Sequence, residues 1–338
     1  MGFLDWLLGK GGEVCDGDPR LAEAVARVID ATDPRLRLLD GVRERLCPAV
    51  TGALAYADRV AAALPPCVEV TPDNWSASPV LRAFFVRPAD VAATLHDSRD
   101  LQDFLASPAG SALDRVCCVI AATRSEQTVL GTALEGDILR QDVEQKTVSF
   151  GHFRLFGFAA TEEALRRRIA DTVLEGLVLA ALRAINTRQQ EGDRLAFAQR
   201  LLSGRLALME KSRAGLDALE CGTWKGRDIG RLRDSLAANA AELAAHHSAG
   251  GGLEGALEGI IRTLEAADAV IHAERLSLSL DAMNVAVPPD SPGAATVELL
   301  EFSTATPGTS RRVAFLASVP RHAVAERKLD LAAGLRLL

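Results

Sequence analysis

The sequence predicts an α+β protein, predominantly helical, with an N-terminal helical array and an antiparallel sheet interrupted by a long antiparallel helical hairpin. Three observations carry this. Thr161 to Leu219 contains no proline, and apolar residues recur at Leu165, Ile169, Val173, Leu177 and Leu182, then at Leu195, Leu201, Leu202, Leu206 and Met209. Spacings of three and four make one stripe along a helix, which unbroken would reach roughly 90 Å. On either side of this stretch the apolar period shortens to two, as in strands. Aromatic residues make up only 4% of the chain while alanine and leucine abound, which suits helix packing over a large sheet.

Residues 1–12, Met-Gly-Phe-Leu-Asp-Trp-Leu-Leu-Gly-Lys-Gly-Gly, form a short amphipathic segment. Phe3, Leu4, Trp6, Leu7 and Leu8 are the candidate membrane contacts, with Lys10 near the headgroups. The competing expectation is that this turn packs on the protein itself or on a partner. The opening resembles the short amphipathic starts of bacterial peripheral proteins, the phage-shock type among them. The likeness covers about ten residues. The β segments farther along depart from an all-helical phage-shock protein, so no function is carried over.

The helical array is placed at 13–110. Asp18-Pro19, Asp33-Pro34 and Ser78-Pro79 each join a capping side chain to a residue already held near helical φ, and Arg87-Pro88 repeats the proline with a poorer cap. Pro48 is expected to kink or divide its helix. Sheet residues are expected at 111–160 and 273–320. Val116 to Ala122 reads as a buried strand, Thr128 to Leu134 as a second, and Glu135-Gly136-Asp137 as a turn. Thr147 to Phe158 alternates, which would put Val148, Phe150, Phe156 and Phe158 on one face.

The hairpin is placed at 161–272, with Glu220 to Asp228 as its reversal and Gly250-Gly251-Gly252 as a hinge. Leu276, Leu278 and Leu280 then alternate in one phase and Met283, Val285 and Val287 in the other, as a bulge near Asp281 would produce. Val297 to Phe302 and Arg312 to Val319 form a hairpin around Pro307-Gly308, and a C-terminal helix closes the chain at 321–338. Neither strand set is large enough to cover its own edges, so both should share one sheet with the hairpin inserted between its halves.

The formal charge of −7 argues against a nucleic-acid partner. Arg166-Arg167-Arg168 points three ways on a helix and reads as a solvated face. The cysteines Cys15, Cys47, Cys67, Cys117, Cys118 and Cys221 form no Cys-x-x-Cys pair, fitting a reducing cytoplasm. The opening lacks the pattern of a signal peptide, and no apolar run is long enough to span a bilayer.

His96, Asp97 and Asp100 could offer metal ligands, but Ser98 or Asp97 capping a helix accounts for them, and no second cluster completes a site. His246-His247 reads as an exposed helix end. His152 and Arg154 interrupt an apolar strand face and are the candidate anion contacts, with a sheet-rim position as the plainer account. No catalytic residue, cofactor site or metal site emerges. The expected function is therefore a non-enzymatic cytoplasmic interaction or scaffold protein, binding a protein partner or itself through the hairpin. The alternatives are a small-molecule sensor or enzyme with a pocket between the helical array and the sheet, and a membrane-peripheral protein held weakly by residues 1–10.

Overall fold

The computed structural model describes residues 18–135, 138–216, 226–248, 252–304 and 311–324. It shows the expected α+β, mostly helical fold. Residues 1–12, Cys15, Cys221, Gly250, Gly251 and 325–338 lie outside the described residues, as do most of the 220–228 reversal and the residues of the turns at 136–137 and 307–308.

The chain forms two compact units, one from residues up to 53 with 175–266, the other from 54–174 with 267 onward. The division passes through the 13–110 stretch and through two helices, α2 (Val42–Ala63) and α6 (Glu162–Leu216).

The second unit is built on a sheet of β1 (Val68–Glu69), β2 (Arg115–Glu135), β3 (Ile138–Ala159), β4 (Ile271–Leu280), β5 (Ala295–Thr304) and β6 (Arg312–Pro320). The order is β3-β2-β6-β5-β4, all antiparallel, with the short β1 parallel to β6. Strands from before and after the long helix therefore meet: Arg115 to Thr123 pairs with Arg312 to Pro320. Val116 to Ala122 is buried on both faces, as its continuous apolar run requires.

Four details differ from the sequence reading. The separate strands at 116–122 and 128–134 are one strand, because beyond Thr123 β2 runs on as a ribbon with β3 after its pairing with β6 has ended. In that ribbon Ser125 to Gln127 are exposed, while the Arg124 side chain is buried against Glu301 of β5. The phase change at Asp281 is a chain reversal, not a bulge: the Asp281 amide donates to the Val285 carbonyl, and Asn284 turns with φ of 58°. The returning residues reach both ends of the sheet. Val287 N–H donates to Ser279 O (3.0 Å), Ala286 N–H to Lys146 O (2.8 Å) and Val148 N–H to Asn284 O (2.9 Å). The sheet is thereby joined edge to edge, which removes free edges along that stretch.

Third, Phe156 does not share a face with Val148, Phe150 and Phe158. Two bulges intervene, one where Ala121 and Thr123 oppose Arg154 and Gly151, the other where Cys117 and Val119 oppose Ala159 and Phe156. Each extra residue flips the alternation. The inward series becomes 148, 150, 153, 155 and 158, leaving Phe156 37% exposed. His152 (φ 54°) and Gly157 (φ 73°) hold the left-handed turns these bulges need. Glycine suits such a turn and histidine is strained in it. His152→Gly is expected to raise stability by up to about 1 kcal/mol, read as a higher thermal midpoint. A lower midpoint would show that the imidazole contributes something the backbone strain does not cancel.

Fourth, of the two outcomes expected at Pro48, division does not occur: α2 runs through it as one helix. The lost backbone bond is outweighed by burial around it, since Leu46, Val50 and Ala53 are fully enclosed. The prolines that were expected to start helices do so in α1 (Pro19–Thr32), a 3-10 turn (Pro34–Leu38), α3 (Pro79–Phe84) and α4 (Pro88–Asp97). Asp18, Asp33 and Ser78 accept from the backbone two or three residues on. At Arg87 the cap is completed from Asp90, which accepts from the Arg87 amide at 3.0 Å.

Helices α3, α4 and α5 (Arg99–Ala106) cover one face of the sheet, and seven of the eleven phenylalanines gather in this unit's ring contacts. Phe84 stacks on Phe150 at 4.3 Å and meets Phe315 edge-on at 5.0 Å. The opposite face meets the first turns of α6, where a Cβ at Gly157 would lie 3.2 Å from Leu165 and 3.7 Å from Val119.

In the first unit α6 runs antiparallel to α7 (Gly226–Ser248), followed by α8 (Gly252–Glu265). Glu210 pairs with Arg233 at 2.7 Å, while Arg188 O meets His246 Nε2 at 3.0 Å. The short helix α9 (Ala267–Val270) leads into β4, so Ile271 begins a strand rather than ending the helical run.

Candidate functional site

Two features are candidates. The first is a cleft of about 360 Å³ lined by Thr94, Asp97, Ser98, Arg99, Asp100, Phe153, Arg154 and Leu155. Ser98 separates α4 from α5 and accepts from the Leu101 amide, the cap expected there. The break takes His96 and Asp100 off a common helix face. The β3 bulge supplies the opposite wall. The fold thus joins two readings that were separate in sequence, the Asp97/Asp100 pair and Arg154. His152 stays out of the lining, exposed on the bulge. The walls offer two guanidiniums and two carboxylates, a set suited to a small ligand bearing both an anionic and a donor group. Among the described residues no three His, Cys, Asp or Glu are grouped to hold a metal.

The second feature is on α6, whose apolar residues divide between two opposite faces. Leu195 is buried and Leu202, Leu206 and Met209 are half-buried, on the side toward α7. Phe197, Leu201 and Leu208 are 64%, 62% and 68% exposed. At about 100° per residue these three fall within about 40° of one another, roughly opposite the buried side. Leu179, 54% exposed, lies five turns earlier on the same line. The single stripe read from sequence is therefore corrected: Leu201 belongs to a second, outward stripe with Phe197 and Leu208.

The seam itself explains the neighbouring histidine. His246 is half-buried beside Gly192, where a Cβ would come within 2.8 Å of its ring. Only glycine allows that approach. Of the expected exposed pair, His247 alone is exposed. Gln199 Oε1, Asn239 Oδ1 and His246 Nδ1 are buried without hydrogen-bond partners among the described residues. Such polar positions cost stability but discriminate against a slipped pairing of the two helices.

Comparison with protein-family models, curated proteins and solved structures finds no match to this chain. The site therefore has to be read from its own chemistry.

Of the basic run, Arg167 and Arg168 are exposed, as a solvated face requires, while Arg166 is half-buried and engaged. Arg166 donates to the carbonyls of Ala61, Leu64 and Pro65 at the end of α2, Arg167 pairs with Glu163, and Arg168 donates to Phe158 O. Among the thiols, Cys67, Cys117 and Cys118 are free, and burial pushes all three up, away from the reactive thiolate. Cys47 is disulfide-bonded, which departs from the expectation of unpaired cysteines. No described helix is long and apolar enough to cross a membrane.

Proposed function

We propose that the chain is a non-enzymatic interaction protein whose helical hairpin docks a partner, or a second copy, through the outward face of α6. The observation that carries this reading is the Phe197–Leu201–Leu208 stripe. Three large apolar side chains on one line, each more than three-fifths exposed, lose favourable hydration entropy until something covers them. The seam with α7 already buries the other side of the helix, so the stripe contributes nothing to folding. A cytoplasmic location belongs to the same proposal. The free thiols support it, and the disulfide at Cys47 counts against it.

The test is Leu201→Asp with Leu208→Asp. Both positions are exposed, so the melting temperature is expected to stay within the range of surface substitutions, about 0.5 kcal/mol. Association measured as mass against concentration, or capture of a partner, is expected to fall at least tenfold. Unchanged association with unchanged stability would remove the hairpin face from the function.

The cleft supports a second reading, a small-molecule sensor. Arg154 projects into it with no hydrogen bond or ion pair among the described residues. A ligand present at a hundred times its dissociation constant would stabilise the protein by about 2.7 kcal/mol. A metabolite library that produces no thermal shift, or the same shift in Arg154→Ala, would discard it.

A further inference from the structure

Taking the outward face of α6 as a docking face, we infer that its partner is an anionic phospholipid bilayer surface. The stripe is flanked by Arg200, Arg205 and Lys211, all exposed, and among the described residues no carboxylate pairs with any of them. The nearest acidic groups along the helix are already engaged: Glu191 with Arg194 and Glu210 with Arg233. Asp193 is the remaining carboxylate, one turn before Phe197. The result is a cationic, apolar patch on a chain of net charge −7.

A second copy fits this patch poorly. The 4-3-4 spacing of Phe197, Leu201, Gly204 and Leu208 reads the same in both directions. An antiparallel copy would place Phe197 over Leu208 and Leu201 over the open space at Gly204. The same register sets Arg200 against Arg205, and a parallel register sets each arginine against itself. Either arrangement brings like charges together as water is withdrawn, which opposes association. An anionic surface with an apolar layer beneath it complements both features. Phe and Leu enter the acyl boundary, and the arginine and lysine stems reach the phosphates.

Co-sedimentation of the full chain with lipid vesicles tests this. Binding is expected to vesicles of phosphatidylcholine with phosphatidylserine and not to phosphatidylcholine alone. It should weaken as salt rises from about 0.1 M to about 0.5 M, where the screening length falls to roughly half. Arg200→Glu, Arg205→Glu and Lys211→Glu together are expected to lower partitioning about a hundredfold. Phe197→Ser with Leu201→Ser and Leu208→Ser should abolish it while leaving the melting curve in place. Trp6→Ser with Leu7→Ser should leave binding intact, separating the α6 face from the amphipathic N-terminus.

Absence of binding, binding unmoved in both α6 variants, or loss with Trp6→Ser and Leu7→Ser would each overturn the inference. Equal binding to single-stranded DNA would overturn it too. If vesicles are not bound but the serine variant changes concentration-dependent mass, the docking face stands and the lipid partner falls. If neither changes, both fall.

Discussion

Phe315→Ala is expected to destabilise the sheet-containing unit by about 3–5 kcal/mol. Phe315 is fully buried in β6, between β2 and β5, and meets Phe84 edge-on. Its ring lies where α3 crosses the sheet, so truncation leaves a cavity lined on several sides and unable to collapse. Trp75 provides the readout, because its indole donates to Phe85 O at 2.8 Å beside the same core. Urea unfolding followed by tryptophan fluorescence should show the midpoint fall for Phe315→Ala. Phe156→Ala should move it by less than about 1 kcal/mol, since that ring is turned outward by the second bulge. Equal effects of the two substitutions would mean that the alternation along β3 runs unbroken, contrary to the register described above.

Arg166→Ala is expected to cost about 2–3 kcal/mol, an amount already reduced because a quarter of the side chain meets solvent. One guanidinium donates to Ala61 O at 2.6 Å, Leu64 O at 3.1 Å and Pro65 O at 3.2 Å, and to Glu162 at 2.7 Å. It thereby satisfies carbonyls that the end of α2 would leave unpaired. Arg166→Lys should recover only part of the loss, since an ammonium has neither the reach nor the fork.

The substitution also has a pH signature. Burial alone would push the Glu162 carboxyl up, but hydrogen bonds from Arg166 and from the Cys67 amide outweigh it and hold the group below its ordinary value. A lowered folded value means stability that is fully present above the unfolded value and lost as pH falls through the folded one. Without Arg166 the acid loss from this group should begin at higher pH. An unchanged acid limb in Arg166→Ala would show that the pair does not couple to folding.

Much of the architecture was legible because periodicity records burial directly. The shift between three-to-four and two separated the helices from the strands. The continuous apolar run at 116–122 identified a strand enclosed on both faces, and aspartate or serine before proline marked where helices begin. Those signals are local, and each follows from backbone geometry and the chemistry of one side chain. The candidate sites were barely legible. Arg154 and Asp100 are 54 positions apart, and only the packing of α4 and α5 on β3 puts them on one cleft. Likewise, Leu201 and Leu202 are equally apolar, and which of them faces the seam depends on where α7 lies.

What the chain determined by itself was its alternation of elements, its polar caps and the helical character of the long proline-free stretch after Thr161. These arise from interactions within a few residues, so they can be read in order. Tertiary structure decided the parity flips at the bulges, the edge-to-edge joining of the sheet by residues 284–287, the use of Arg166 as a cap for a distant helix, and the outward turn of Phe197, Leu201 and Leu208. Each of these requires a partner from elsewhere in the chain, or the lack of one. A sequence records what a residue can do and leaves to the fold what it is given to touch.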